Sequence, residues 1–324
     1  MFKAVSSGEL LIDFNSVASD SMGYPTLEGH PGGATINWLS VLATYGAGCS
    51  FIGKVGDDAF GHLLLGTMNS LGINTSGVIS TPDAFTTLAF VTLDETGDRE
   101  FSFARKPGAD LLLRFDEADL SLLNNADVYH FGTVAMTGEP SRETTKKLVE
   151  AARSRGILVS FDPNLRSSLW DDLSCAKENM LWGLAHSDIV KISDEEIDFL
   201  FGLDPESGAE KILHDYGVSL VYATCGADGC YFSNRTAKGF TPAMSGLNVI
   251  DTCGAGDIFG GSAMFRFLQL GKAASDLTKA DLEDITKFAS AAAGLSTQKH
   301  GGISSIPALD DVLAALEGTS AAIS

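Results

Sequence analysis

Short β-type runs that alternate with helical ones constrain this chain more than any other feature. The series starts with SFIGKV around Gly53 and a helix near 58–71, then VYHFG (128–132), a helix near 141–155, ILVSFD (157–162) and DIVKIS (188–193). A helix at 194–201, another near 208–216, LVYATCG (220–226) and GCYFSN (229–234) complete it. Parallel strands become neighbours only through a long crossover, normally a helix. The alternation therefore predicts an α/β fold with a central, mostly parallel sheet flanked by helices on both faces. Ligands of such sheets sit at the C-terminal ends of the strands.

Two stretches break the pattern. Residues about 8–17 and 84–104 read as β segments without intervening helices, the second turning as a hairpin at 95–98. They are expected to form a small β-sheet lid over the ligand edge; the alternative is a hairpin that extends the main sheet. There is no repeat, proline-rich linker or low-complexity tract, so 1–318 reads as a single α/β domain and 319–324 as a frayed tail.

Charge narrows the partners. Lys plus Arg number 22 against 42 Asp plus Glu, a net charge of −20, which repels phosphate backbones and anionic membrane surfaces, so neither nucleic acid nor a membrane is an expected partner. The cysteines at 49, 175, 225, 230 and 253 form no CxxC pair, which argues against a disulfide framework or zinc site. No apolar run approaches the roughly 18 residues of a membrane span, and a cytoplasmic location is expected. An anionic ligand would need a locally positive pocket.

One stretch looks built for that. In DTCGAGDIFGG (251–261), Gly254, Ala255 and Gly256 let backbone N–H groups turn towards an anion at the start of a helix. Asp257 follows them, where a carboxylate would repel an anion unless it had a task of its own. It can be a dipole partner of the helix, or it can take the proton of an attacking hydroxyl while the amides cradle a transferring phosphoryl group. Nearby patterns fail other tests. GCSFIGK (48–54) has P-loop spacing, but Val55 stands where a metal-binding hydroxyl belongs. GAGDIFG is one residue too long for the dinucleotide fingerprint, and GxSxG is absent.

DTCGAGD and a second motif, GHPGGATINWLSVLATYGAGCSFIGKVGDDAFG (29–61), together resemble the two signatures of the ribokinase-like (PfkB) carbohydrate kinases. Within that family GELLIDF (8–14), FDPNLR (161–166) and IVKISDEEIDFL (189–200) are most similar to fructokinases. The resemblance implies an ATP- and Mg2+-dependent sugar kinase with Asp257 as catalytic base and the 254–257 amides as the anion cradle. It places Asp13, Gly32, Gly33 and Asn37 at the sugar. Asn37 could equally cap a helix. Thr224, Gly226 and Gly229 would lie by the nucleotide's phosphates and ribose. Ser290, within ASAAAGLSTQKHGG (289–302), would lie by its adenine.

Asn164 and Arg166 sit at a strand end, where Arg166 could neutralise transferring phosphate or form a plain ion pair; Lys191 is a candidate for the same task. Glu196 matches a family acid that organises Mg2+ through water, although Ser193 replaces the usual Asn and SDEE (193–196) also reads as a helix cap. Asp251, with the Cys253 carbonyl, could hold K+. An acid-sugar kinase specific for 2-keto-3-deoxygluconate is the alternative within the family, with Arg99, Arg105 and Lys106 available near the lid. A noncatalytic sugar sensor is the alternative outside enzyme chemistry. A homodimer through exposed lid strands is a further expectation.

Overall fold

The computed structural model describes residues 2–93 and 99–321. Its strands are β1 (Lys3–Ser7), β2 (Leu11–Ser19), β3 (Pro25–Gly32), β4 (Gly48–Gly56), β5 (Asn74–Thr81), β6 (Thr87–Leu93) and β7 (Arg99–Ala104). They continue as β8 (Val128–Gly132), β9 (Leu158–Asp162), β10 (Ile189–Ser193), β11 (Leu220–Thr224), β12 (Gly229–Asn234) and β13 (Lys238–Pro242). The helices are α1 (Ala34–Thr44), α2 (Ala59–Ser70), α3 (Ser141–Ser154), α4 (Leu173–Ala185), α5 (Asp194–Phe201), α6 (Pro205–Asp215), α7 (Ala255–Leu270), α8 (Lys279–Ser296) and α9 (Leu309–Ala321).

Among the described residues a nine-stranded sheet runs β13-β12-β11-β10-β9-β8-β1-β4-β5. From β11 to β5 every pairing is parallel; β12 and β13 close the other edge antiparallel. Strand β8, VYHFG, is buried along its whole length, as expected where helices cover both faces. One face packs against α1, α2, α7, α8 and α9 around Trp38, Phe51, Ile258 and Phe288. The other packs against α3 to α6 around Tyr129, Phe131, Phe161 and Ile197.

The interrupting segments form a separate four-stranded sheet, β3-β2-β6-β7, and do not extend the main one. Strand β2 pairs antiparallel with β3 and parallel with β6, and β6 pairs antiparallel with β7 from Leu88–Ala104 to Leu93–Arg99. The expected turn at 95–98 lies outside the described residues. Strand β3 was not foreseen: its first five side chains are exposed, so it carries none of the apolar alternation by which a strand is read. Helix α9 reaches Ala321, and the rest of the tail at 322–324 lies outside the described residues.

Helix starts follow local chemistry. Asp58 caps α2 by accepting from Phe60 and Gly61 N–H, and Asp204 caps α6 ahead of Pro205. Ser193 and Glu196 form a capping box on α5. No helix among the described residues is long and apolar enough to cross a membrane, and all five cysteines are free thiols.

Candidate active site

The strand ends supply the site. Helix α7 opens on Gly254 with φ 73°, a left-handed conformation, and without a capping side chain. A Cβ at Gly254 would stand 2.9 Å from the Gly302 Cα and 3.3 Å from the Asn37 Nδ2, so only glycine lets these three segments meet. Asp251 pins the turn: its Oδ1 accepts the Cys253 N–H at 2.8 Å and its Oδ2 the Gly301 N–H at 3.0 Å. The first bond within α7 runs from Ile258 N to Gly254 O at 2.8 Å, and the amides before it are the orphan donors that every helix start leaves. Ala255 is the exception, since its N–H reaches the Thr252 carbonyl at 3.3 Å.

Asp257, in the first turn of α7, is 7% exposed. Its Oδ2 accepts from Asn37 Nδ2 at 2.9 Å and its Oδ1 from Asn164 Nδ2 at 3.1 Å, so both oxygens are aimed by neutral amides from different elements. Asn164 holds its position with φ 52°, a strained setting for a residue with a Cβ and one that clusters at functional sites. Burial pushes the Asp257 carboxyl up to about 6, against the Asn37 hydrogen bond and the charges of Lys191 and Arg166. Lys191 itself pairs with Asp162, Nζ to Oδ2 3.1 Å. Although burial opposes its charge, Asp162, Glu196 and Asp257 hold its pKa above the ordinary lysine value.

Asp257 lies on the wall of a cavity of about 490 Å³, which also touches Asp13, Gly33, Asn37, Arg166 and Glu196. A Cβ on Gly32 would lie 2.4 Å from the Asp13 Oδ2, so glycine there lets the carboxylate stand close to the backbone. Burial pushes Asp13 up to about 7, with Arg166 opposing and Asp257 and Asp251 adding to the rise. Wall residues that escaped the sequence reading include Glu9, Leu11, Ala34, Val134 and, from the lid, Phe103. Glu9 stands inside GELLIDF, and an acid between Gly8 and the apolar run Leu10–Ile12 was the signal that could have drawn notice.

A second cavity, of about 510 Å³, brings together Thr224, Gly226, Gly229 and Ser290 with the apolar Leu247 and Phe259. Gly226 and Gly229 have φ 51° and 134°, and a Cβ on Gly229 would lie 2.2 Å from the Thr241 carbonyl oxygen. The two cavities share Thr252 and Gly256 at the tip of α7. Glu196 is buried at 7% exposure; it accepts from Leu165 N–H at 2.7 Å and Ser193 N–H at 2.9 Å, so the helix-cap reading of SDEE is realised alongside its place in the wall. Among the described residues no group of three or more His, Cys, Asp or Glu is placed to hold a metal. Arg105 is 5% exposed and bound to Asp110 through Nε at 3.0 Å and through Nη2, with further bonds to Thr137 and the Val134 carbonyl.

Known proteins share both sequence and fold with the chain. The model of the pfkB family of carbohydrate kinases matches residues 1–309. Fructokinase-1 of Oryza sativa subsp. japonica is 38% identical over 316 residues, 97% of each chain. A fructokinase from Xylella fastidiosa, solved with bound ATP, superposes with a TM-score of 0.90 at 30% identity over 98% of this chain and 99% of its own. A fructokinase double mutant from Vibrio cholerae O395, in its fructose, ADP and potassium-ion bound form, gives 0.85 at 28% identity over 98% of each chain.

Proposed function

The chain belongs to the pfkB family of carbohydrate kinases, and from that premise we propose that it is a fructokinase, converting D-fructose and ATP to D-fructose 6-phosphate and ADP by direct in-line transfer. The observation that carries this reading is the position of Asp257: a buried acid aimed by two amides, beside the helix tip that two ligand-sized cavities share.

The acceptor hydroxyl gives its proton to Asp257, whose carboxyl, held near 6, is ionised at neutral pH yet more basic than an exposed acid, as a general base should be. As the sugar oxygen bonds to the γ-phosphorus and the bond to the bridging oxygen breaks, charge spreads over the phosphoryl oxygens. The amides of Gly254, Gly256 and Asp257 and the Arg166 guanidinium meet that charge. Asp13, with its two acceptor oxygens, grips sugar hydroxyls next to the Gly32–Gly33 backbone. ATP is placed in the second cavity, its base against Leu247 and beside Ser290, its phosphates running past Thr224, Gly226 and Gly229 towards the shared Gly256.

Bound magnesium supplies positive charge to the phosphates. Mg2+ usually keeps several waters and takes substrate phosphates as ligands, so one or two protein carboxylates are enough to hold it. Glu196 would hold one such water through its remaining lone pairs. Asp251 and the Cys253 carbonyl would flank K+, a reading supported by the potassium-bound Vibrio relative.

The acid-sugar alternative wanted a free cation near the lid. Arg105 is committed to Asp110 and the side chain of Arg99 lies outside the described residues, whereas Lys106 is exposed and is the cation that alternative retains. The exposed Val17, Met22, Tyr24 and Leu27 on and beside the β2–β3 hairpin support a homodimer through the lid, and we place the enzyme in the cytoplasm as one domain over 1–318. The test is ADP release with ATP and Mg2+ across a sugar panel, with and without K+. Fructose should give the highest kcat/KM; an equal or higher value for 2-keto-3-deoxygluconate overturns the fructokinase assignment.

A further inference from the structure

Glu9 lies in the turn between β1 and β2, is 2% exposed and lines the sugar cavity. Its Oε1 accepts the Ala34 N–H at 2.6 Å; its Oε2, also buried, has no hydrogen-bond partner. The Ala34 amide is the first of helix α1, which begins without a cap of its own. The N-cap is Gly33 at φ 127°, it offers no side chain, and the first turn contains no acid. A local Ser, Thr, Asp or Asn normally satisfies such a start. Here a carboxyl 25 positions earlier in the chain does so.

The backbone of the same residue also packs closely against the turn, since a Cβ on Gly33 would lie 2.4 Å from the Glu9 carbonyl oxygen. From Gly33 the contacts continue to the acid: Asn37 N–H donates to the Gly33 carbonyl at 2.9 Å, and Asn37 Nδ2 donates to Asp257 Oδ2 at 2.9 Å. A simple cap needs one acceptor, which a hydroxyl or amide would supply. The second, unpartnered oxygen, in a residue on the cavity wall, is surplus to capping and suited to a sugar hydroxyl. Burial pushes this carboxyl up to about 7, so near neutrality it can accept from a hydroxyl or donate to one.

We propose that Glu9 is a positioning residue of the sugar site. By holding the Gly33–Ala34 turn it sets the backbone that receives the sugar and the Asn37 amide that aims Asp257. The inference rests on the sugar-kinase reading but not on fructose as the sugar.

Its test uses whichever sugar of the panel the wild-type enzyme phosphorylates fastest, so that a failure of the fructose assignment leaves it intact. Three variants are compared by steady-state kinetics in both substrates. Glu9→Gln keeps an oxygen that can accept the Ala34 N–H but puts an amide NH2 in place of the second oxygen, and should lose less in kcat/KM for the sugar than the Ala variant does. Glu9→Asp keeps the acid but falls one methylene short, and Glu9→Ala removes it; both should lose about 10- to 100-fold in kcat/KM for the sugar while KM for ATP stays put. Folded Asp and Ala variants with wild-type sugar kinetics overturn the proposal. So does a loss shared equally by the sugar and ATP constants, which is what general loosening of the fold would give. If the Ala variant fails to fold, the Asp variant decides on the same two readouts.

Discussion

Asp257→Asn separates two consequences of one buried charge. In the folded protein burial lifts this carboxyl from 3.8 to about 6, so its ionised form is penalised by about 3 kcal/mol, taken as an upper estimate. The sign follows from linkage. Below the unfolded value both states are protonated and there is no penalty; as pH rises, the unfolded chain releases its proton first, and folding stability falls until the folded group also ionises. Asparagine carries no such charge.

The new amide also finds a partner. Its N–H2 would face a donor at Asn37, but the Asn37 Oδ1 is unpartnered, so a flip of the Asn37 amide restores a donor–acceptor pair. Asp257→Asn should therefore be more stable than wild type by about 1 to 3 kcal/mol at pH 8, with the gain vanishing towards pH 4. Turnover should fall by about 100- to 10,000-fold, the worth of a general base. Urea unfolding at both pH values and coupled ADP release measure the two effects on the same preparation. A loss of activity below about tenfold would refute the role of Asp257 as base. An unchanged or lower stability at pH 8 would refute the account of its environment.

Three further outcomes are expected. The kcat of the wild type should rise with pH around an acid limb near 6, set by ionisation of Asp257; a limb at the ordinary carboxylate value would detach the base from this residue. Asp13→Asn should raise sugar KM by about 10- to 100-fold through loss of charge-assisted bonds, leaving KM for ATP unchanged in the same assay. Gly229→Ala adds a Cβ 2.2 Å from the Thr241 carbonyl oxygen at φ 134°. It should destabilise by about 2 kcal/mol or more in urea unfolding and weaken nucleotide binding seen by calorimetry, with sugar affinity retained.

Much of the architecture was legible because crossover helices and buried parallel strands leave a strong apolar signature. VYHFG, ILVSFD and DIVKIS became β8, β9 and β10 within a residue of the expected limits. The exposed strands β3 and β13 were not, since polar edge strands are held by backbone pairing, which sequence pattern does not record. Lys191 and Asn164 were legible as strand-end polar residues but not in their partners. One is paired with Asp162 and the other bonded to Asp257, because which strand ends face each other depends on sheet order.

The sequence by itself determined the layered α/β plan, the β segments that interrupt it, and the glycine turn ending in an acid. Each depends on local spacing and backbone freedom, which neighbouring residues specify. Tertiary structure alone decided that Asn37, Asn164 and Glu9, far apart along the chain, converge on Asp257 and the cavity it borders. It also decided that Arg105 is consumed by Asp110. Those outcomes rest on desolvation and on hydrogen bonds a few ångströms long between segments up to 220 residues apart, and distances of that kind exist only once the sheet has ordered its strands.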